Sequence, residues 1–291
     1  MKAKVIQKNV TTFIVQDQDG KNYQTNIWKK VKFGSEKIIV GDDVEVVQVN
    51  NDYVIEKIYP RKNRIIRPNV SNVDVLVLVC SSVEPDINVF QINKYLLFYE
   101  INHIFKIILY FSKMDLIDDV ETKSKVEKII NAYKKDGYFC VCSNEHDCIT
   151  ILESYFDNKS VVCFAGESGS GKSTLINKMI PGANIVTNEI SKSLNRGKHT
   201  TTTCSLINYK NYFLVDTPGF GTIDLDVDNK ILAVGYFDFK NLSVNCKFSN
   251  CLHHMEKDCA VKQAVLEKKI WIERYNSYLK IIKNNKFKEK F

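Results

Sequence analysis

The order of apolar and polar positions divides the chain into three textures. Up to residue 68 the apolar residues come in short β-rich runs: Val5-Ile6, Thr11 to Val15, Tyr23 to Trp28, Val44 to Val49 and Tyr53 to Ile58. Turn-forming clusters separate them, at Asp17-Gln18-Asp19-Gly20, Gly41-Asp42-Asp43 and Asn50-Asn51-Asp52. Five short strands with this punctuation predict a barrel of the OB type, a class that often binds oligonucleotides. An SH3-like barrel with a packing role is the alternative. A basic connector, Arg61-Lys62-Asn63-Arg64 with Arg67-Pro68, leads out of this module.

From Val73 the runs become continuous and apolar, as fully buried parallel strands require. Strands are expected at 73–80, 104–111, 139–142, 161–165, 204–209 and 212–215, the last two forming a hairpin through Lys210-Asn211. Helical segments at 88–101, 119–136 and 148–157 supply crossovers, so this region is α/β. After residue 226 the β signal fades. A short helix is expected at Asp228 to Val234, then a Cys/His cluster, then one long helix from Ala260 to Ile282, before a polar basic tail. The expected domains are therefore 1–68, 69–225 and 226–291.

Composition narrows the class without choosing the chemistry. Apolar residues make up 44% and charged residues 26% of 291, an ordinary globular balance. No apolar run approaches the ~18–20 residues of a membrane span. Met1-Lys2-Ala3-Lys4 leads into a strand-like run rather than a signal-peptide core, so a cytoplasmic location is expected. Nine cysteines without a secretion signal argue against disulfides. Cys80, Cys140, Cys142, Cys163 and Cys204 read as core, and Cys148 as a helix start. The net charge of +7 is uneven: 13 basic against 8 acidic residues in 1–70, 15 against 18 in 71–225, and 13 against 8 in 226–291. Two basic ends suit a polyanionic partner.

The chemistry centres on Gly166-Glu167-Ser168-Gly169-Ser170-Gly171-Lys172-Ser173, followed by Thr174, which fits the G-x-x-x-x-G-K-[ST] phosphate loop. It stands between an apolar strand and a helix carrying Leu175, Ile176, Met179 and Ile180 at helical spacing. Backbone N–H groups there can close around phosphate oxygens, at the positive end of the helix. Lys172 would reach the β- and γ-phosphates, and the Ser173 hydroxyl would ligate Mg²⁺. Asp216-Thr217-Pro218-Gly219 follows the strand Phe213 to Val215; Asp216 would hold Mg²⁺ and the Gly219 amide would sense the γ-phosphate. A switch threonine is expected in Arg196-Gly197-Lys198-His199-Thr200-Thr201-Thr202-Thr203. The sequence does not choose among Thr200, Thr201 and Thr202; Thr201 is taken as the magnesium ligand. Phe220 stands where many GTPases have a water-orienting Gln, so His199 is the candidate for that task.

Ser112-Lys113-Met114-Asp115 at the end of a strand resembles the N/T-K-x-D motif, in which the carboxylate accepts from guanine N1–H and the exocyclic amine. Adenine offers no matching donors, so Asp115 selects GTP and GDP. Cys142-Ser143-Asn144 resembles a degenerate S-A-K loop that supports the base, so Ser143 and Asn144 join the nucleotide-binding set. The base motif precedes the phosphate loop, the reverse of the ordinary order, which a circular permutation explains. Finally, Cys246-x4-Cys251-x-His253-x5-Cys259 offers three thiolates and one imidazole, suited to one structural Zn²⁺. His254 is a rival fourth ligand. A P-loop ATPase or kinase and a catalytically weak RNA-binding scaffold are the alternative classes.

Along nearly its whole length the chain resembles the bacterial ribosome small-subunit-dependent GTPase A family. The matching residues include Arg64-Ile65-Ile66-Arg67-Pro68 with Asn72-Val73-Asp74, Ser112 to Leu116, Gly166 to Asn177, Gly197 to Thr202 and Asp216 to Phe220. Cys259-Ala260-Val261 and Arg274-Tyr275-Asn276-Ser277-Tyr278 agree as well. Ser112, Asn144, Ser170 and the stretch Gly221 to Leu225 depart from its usual pattern. The resemblance implies an N-terminal OB-fold, a circularly permuted GTPase domain and a C-terminal zinc-binding helical module. It also implies GTP hydrolysis stimulated by the 30S subunit, late in that subunit's maturation. With the charge map, it makes the 30S subunit and its 16S rRNA the expected partners of a monomer.

Overall fold

The computed structural model describes residues 1–27, 37–66, 69–180, 204–216, 223 and 225–285. Its strands are β1 (Lys2–Lys8), β2 (Phe13–Asp17), β3 (Asn22–Ile27), β4 (Asp43–Val49), β5 (Asp52–Ile58), β6 (Arg64–Ile65), β7 (Val70–Ser71), β8 (Val75–Ser81), β9 (Ile107–Ser112), β10 (Phe139–Cys142), β11 (Val161–Ala165), β12 (Ser205–Tyr209) and β13 (Tyr212–Asp216). Its helices are α1 (Val89–Ile101), α2 (Val120–Lys135), α3 (Cys148–Glu153), α4 (Lys172–Met179), α5 (Asn229–Ala233), α6 (Phe237–Ser243), α7 (Ala260–Leu266) and α8 (Ile272–Asn284). They form two compact units. One comprises Met1–Leu76, Ile149–Ala165 and Lys172–Phe220; the other comprises Val77–Cys148, Gly166–Gly171 and Gly221–Phe291.

The first unit contains the barrel. β1 pairs antiparallel with β2 and with β4, β2 with β3, and β4 with β5, while β3 runs parallel to β5. The order β1-β2-β3-β5-β4 thus closes on itself and leaves no free edge among these five strands. Alternation fills it: Ala3, Val5, Phe13, Val15, Val44, Val46 and Ile55 point inward with Ile38. Lys2 and Lys8 of β1 instead lie over the Tyr59 and Phe13 rings. The same unit carries β11, parallel to β13, and the β12–β13 hairpin, which meets β1 at Gln7 and Ser205.

In the second unit β10 runs parallel to β9, in register Phe139 to Ile108 through Cys142 to Phe111. Every residue of β9 is buried, as its unbroken apolar run foretells. Helix α2 buries Val126, Ile129, Ile130 and Tyr133, one helical stripe, and Asp119 caps it by accepting from the Thr122 N–H. Helix α1 differs: it is apolar on several faces and buries Ile92, Asn93, Tyr95, Leu96, Leu97, Tyr99 and Glu100. Such a helix is packed from more than one side.

Several expectations need correction. Residues 104–106 are not in β9, because Ile104 N–H closes α1 by donating to the Tyr99 carbonyl, with His103 left-handed at φ +60°. The single helix 260–282 is two. Lys268 turns left-handed at φ +58°, and its N–H and that of Lys269 return to the Val265 and Ala264 carbonyls, ending α7. The periodicity misses α6 altogether, and it misses the short β6–β7 pair that begins at Arg64 of the basic connector. Cys140 and Cys204 are half-buried rather than core, whereas Cys80, Cys142 and Cys163 are buried. Among the described residues, no helix is long and apolar enough to cross a membrane.

Candidate functional site

Strand β11 is buried at all five positions and delivers the chain to Gly166. In the second unit, Gly166 has φ +140°, and a Cβ there would collide with the Val79 carbonyl oxygen. Only glycine fits, because the obstacle is backbone. The loop then tightens through a Ser170 N–H donating to the Glu167 carbonyl at 3.2 Å. Ser170 is buried, Glu167 half-buried, and Ser168 and Gly169 are exposed. In the first unit, α4 begins at Lys172 and is anchored by buried Leu175, Ile176 and Met179. Lys172 and Ser173 in its first turn are half-buried, and Thr174 is exposed.

The expected base-reading residues gather around β9. Ser112, its last residue, is buried, and its hydroxyl donates to the Ser170 carbonyl at 2.6 Å. The Cys80 carbonyl lies 3.3 Å from the same hydroxyl. One side chain therefore ties the base motif to the phosphate loop. Lys113 is left-handed at φ +58°, and its ammonium rests on the Glu84 carbonyl. Met114 N–H donates to Ser143 Oγ at 3.1 Å, and Ser143 N–H donates to the Phe111 carbonyl at 2.8 Å. Asp115, in a 3₁₀ turn spanning Met114–Leu116, is exposed, as is Asn144. Ser143 thus joins the base motif by direct bonding, and Asn144 does not. Asp216 is the last residue of β13, in register with Ser205. His199, Thr200, Thr201, Thr202 and Gly219 lie outside the described residues.

A second constellation sits in the C-terminal stretch. Cys246, Cys251, His253 and Cys259 place their ligand atoms within 4.8 Å of one another. Cys246 Sγ is 3.9 Å from Cys259 Sγ, and His253 Nδ1 is 3.6 Å from Cys246 Sγ and 3.3 Å from Cys259 Sγ. A tetrahedral Zn²⁺ with ordinary bond lengths needs S···S edges of about 3.8 Å and S···N edges of about 3.5 Å. The donor set fits that ion. His254 is exposed and outside the group. Burial pushes the His253 imidazole below its ordinary pKa, favouring the neutral form that ligates. Burial pushes the thiols of Cys251 and Cys259 upward. Only a bound cation reverses that preference and makes the thiolates stable. Cys259 also caps α7, accepting from the Lys262 N–H, and Tyr275 and Tyr278 donate to the His253 and Leu252 carbonyls.

Known proteins match this arrangement end to end. The model of the family described as RsgA GTPase matches residues 58–226. A relative named small ribosomal subunit biogenesis GTPase RsgA, from Malacoplasma penetrans (strain HF-2), is 46% identical over 284 residues, covering 97% of this chain and 98% of its own. The chain belongs to the RsgA GTPase family. A protein of the same name from Ureaplasma urealyticum serovar 10 (strain ATCC 33699 / Western) is 45% identical, covering 97% of this chain and 94% of its own. The crystal structure of YloQ, described as a circularly permuted GTPase, aligns at TM-score 0.80 and 29% identity over 97% of this chain and 93% of its own. YjeQ from Thermotoga maritima aligns at TM-score 0.80 and 30% identity, over 97% of both chains.

The chain is therefore a GTP hydrolase of circularly permuted fold, with an N-terminal barrel and a C-terminal Cys₃His cluster among helices. The reversed order of base motif and phosphate loop is that permutation. Reading the sequence within the RsgA GTPase frame still passes over one group: Asn93, Glu100, Asp136, Asp238 and Arg274. The available signal is slight: Asn93 is a polar residue just before the apolar run Tyr95-Leu96-Leu97-Phe98-Tyr99 of α1. A polar side chain there must have a partner.

Proposed function

We propose that this chain is a GTPase of small ribosomal subunit biogenesis, binding GTP with the residues of Ser112–Asp115 and Gly166–Thr174 and acting on the 30S subunit late in its maturation. The bond from Ser112 to Ser170 supports this reading, because it joins the segment read as base-recognising to the segment read as phosphate-binding. The partner is supported by two relatives at 46% and 45% identity that bear that name. In this reading the barrel, 1–68, and the basic helical module, 226–291, hold 16S rRNA while the middle hydrolyses GTP. The protein acts as a monomer in the cytoplasm.

Hard oxygen donors suit Mg²⁺, and the Ser173 hydroxyl with the Asp216 and Thr201 oxygens would hold it. When bound, Mg²⁺ neutralises charge building on the β- and γ-phosphate oxygens. Lys172 and the amides of Gly169 to Ser173 stabilise the charge spreading over the transferred phosphoryl. Asp115 accepts from guanine, Lys113 packs along the base, and Ser143 orders the turn beneath it. His199 orients the attacking water. Cys246, Cys251, His253 and Cys259 hold Zn²⁺ as a structural centre, since four protein ligands leave no position for substrate.

The deciding experiment measures phosphate release from GTP alone, with 30S and with 50S subunits. Stimulation by 30S alone is expected, and indifference to 30S would overturn the partner. Asp115→Asn tests the base site: GTP should weaken and xanthosine triphosphate improve, whereas unchanged GTP affinity would remove Asp115 from that role.

A further inference from the structure

Helix α1 has two engaged faces. The first, at spacing 88, 91, 92 and 95, lines a cavity of about 20 Å³ with Asp86 and the loop residues Gly166, Glu167 and Ser170. That volume holds roughly one water, and Gln91, Ile92 and Tyr95 of the helix share its wall with the phosphate loop. The second face, at spacing 93, 97, 100 and 101, meets the C-terminal helices.

That second interface is polar and directional. Asn93 is completely buried, its Nδ2 donates to Ser277 Oγ of α8 at 3.0 Å, and its carbonyl accepts from Tyr236 Oη at 2.8 Å. Tyr133 of α2 donates to Asn93 Oδ1 at 3.1 Å. Glu100 Oε2 accepts from the first N–H of α6, that of Phe237, at 2.6 Å, and Tyr138 Oη bonds Oε1. Arg274 of α8 is fully buried, 3.1 Å from Asp238, 3.8 Å from Asp136 and 3.9 Å from Glu100. Its guanidinium lies 4.2 Å over the Tyr236 ring. A Cβ at Gly235 would collide with Leu97 and Ile101, so the α5–α6 turn sits directly on α1.

An apolar interface can slide, but buried directional bonds resist it. Each bond broken strands a desolvated group at about 1–3 kcal/mol. A displacement of α6 and α8 is thus carried into α1 rather than absorbed, and α1 walls the same cavity as the phosphate loop. We infer that α1 is a mechanical relay between the zinc-bearing helical module and the phosphate loop, with Asn93 and Arg274 as its positioning residues. The relay rests on the reading that the 30S subunit docks on this protein and stimulates it.

Linkage makes the relay testable without a ribosome, because nucleotide state must then be felt at α6 and α8. In the full-length, zinc-loaded protein, a non-hydrolysable GTP analogue should change amide exchange in 237–243 and 272–284 relative to GDP. The double variant Tyr236→Phe with Ser277→Ala removes two hydroxyls that grip Asn93. It should bind nucleotide and turn over alone like the parent, lose that exchange difference, and lose 30S stimulation by about fivefold or more. Arg274→Lys, which keeps the charge but not the fork, should behave likewise. Tyr275→Phe on the other face of α8 should keep both responses, which a merely weakened module would not. Equal exchange in the two nucleotide states, or a double variant that keeps its exchange difference, overturns the relay. A parent unmoved by 30S while the exchange difference persists overturns the ribosomal reading and leaves the relay standing.

Discussion

Two clusters that involve the C-terminal segment solve the same electrostatic problem in opposite ways. At Cys246, Cys251, His253 and Cys259, four donors converge and the protein supplies no cation among them. At Glu100, Asp136 and Asp238, three carboxylates converge and the protein supplies Arg274. The first is consistent with an external ion such as Zn²⁺. The second is complete on its own, yet imperfectly, since Arg274 Nε and Nη1 and Asp136 Oδ2 have no hydrogen-bond partner among the described residues. One cluster should therefore answer to metal, and the other to pH and substitution.

Metal removal gives the largest effect. Structural Zn²⁺ contributes about 10–16 kcal/mol to small domains that depend on it. Cys251→Ala should bring zinc content from one per chain to near zero by elemental analysis and release protection of residues 246–266 in amide exchange. Zinc retained at parental content would contradict the ligand set. The Arg274 cluster should survive chelation better than the zinc loop, being held by α1 and α2.

Next in size is Arg274→Ala. Removing one partner of a buried ion cluster typically costs about 3–5 kcal/mol, because the carboxylates left behind stay desolvated. Urea unfolding in saturating zinc measures it. Neutralising the site together, as Arg274→Met with Glu100→Gln, Asp136→Asn and Asp238→Asn, should recover most of that loss. A quadruple variant as unstable as Arg274→Ala would mean that packing, not charge, governs the site.

The two clusters also differ in how far the sequence discloses them. Cys-x4-Cys-x-His-x5-Cys is local, and soft donors within 14 residues announce their shared purpose. Glu100, Asp136, Asp238 and Arg274 come from four separate segments, and each alone reads as a solvated charge. The same contrast holds for the fold. Runs such as Val161-Val162-Cys163-Phe164-Ala165 coincide with β11 because burial on both faces leaves an unbroken apolar signature. Helix α6, seven residues with Asp238, Lys240 and Asn241 among its aromatics, has no periodic stripe to find. The break at Lys268 is written in a left-handed turn that a lysine adopts only because α7 closes there. The pattern Gly166-x4-Gly171-Lys172-Ser173 is likewise local and reads directly from the sequence. The loop's bond to Ser112 joins positions 58 apart, a distance no local pattern spans.

pH sharpens the comparison further. Burial raises the Asp136 carboxyl to about 6 from an ordinary value near 3.8, with Arg274 opposing the rise. Between those values the folded state holds more protons than the unfolded chain. The contribution of Asp136 to stability is thus full below pH 3.8 and is lost as pH rises through about 6. The difference in unfolding free energy between the parent and Asp136→Asn should change from pH 4 to 6 and level off above 7. A difference that stays constant across that window would show that Asp136 titrates normally.

The smallest effect tests whether the clusters are independent. Helix α8 serves both, since Arg274 faces the carboxylates while the neighbouring Tyr275 hydroxyl donates to the His253 carbonyl at 2.7 Å. Losing one such bond costs about 1 kcal/mol, or roughly a fivefold change in an equilibrium. Tyr275→Phe should therefore speed zinc transfer to a chelator about fivefold if the bond must break for release. Arg274→Lys touches no zinc ligand, and if the clusters are separate it should leave that rate unchanged, with the two substitutions adding in combination. A helix that moves as one body predicts otherwise: Arg274→Lys alone would speed zinc loss, and Tyr275→Phe would add little on top of it. The double-mutant cycle on chelation rate separates the two cases, and a coupling term larger than about 0.5 kcal/mol would make the two clusters one.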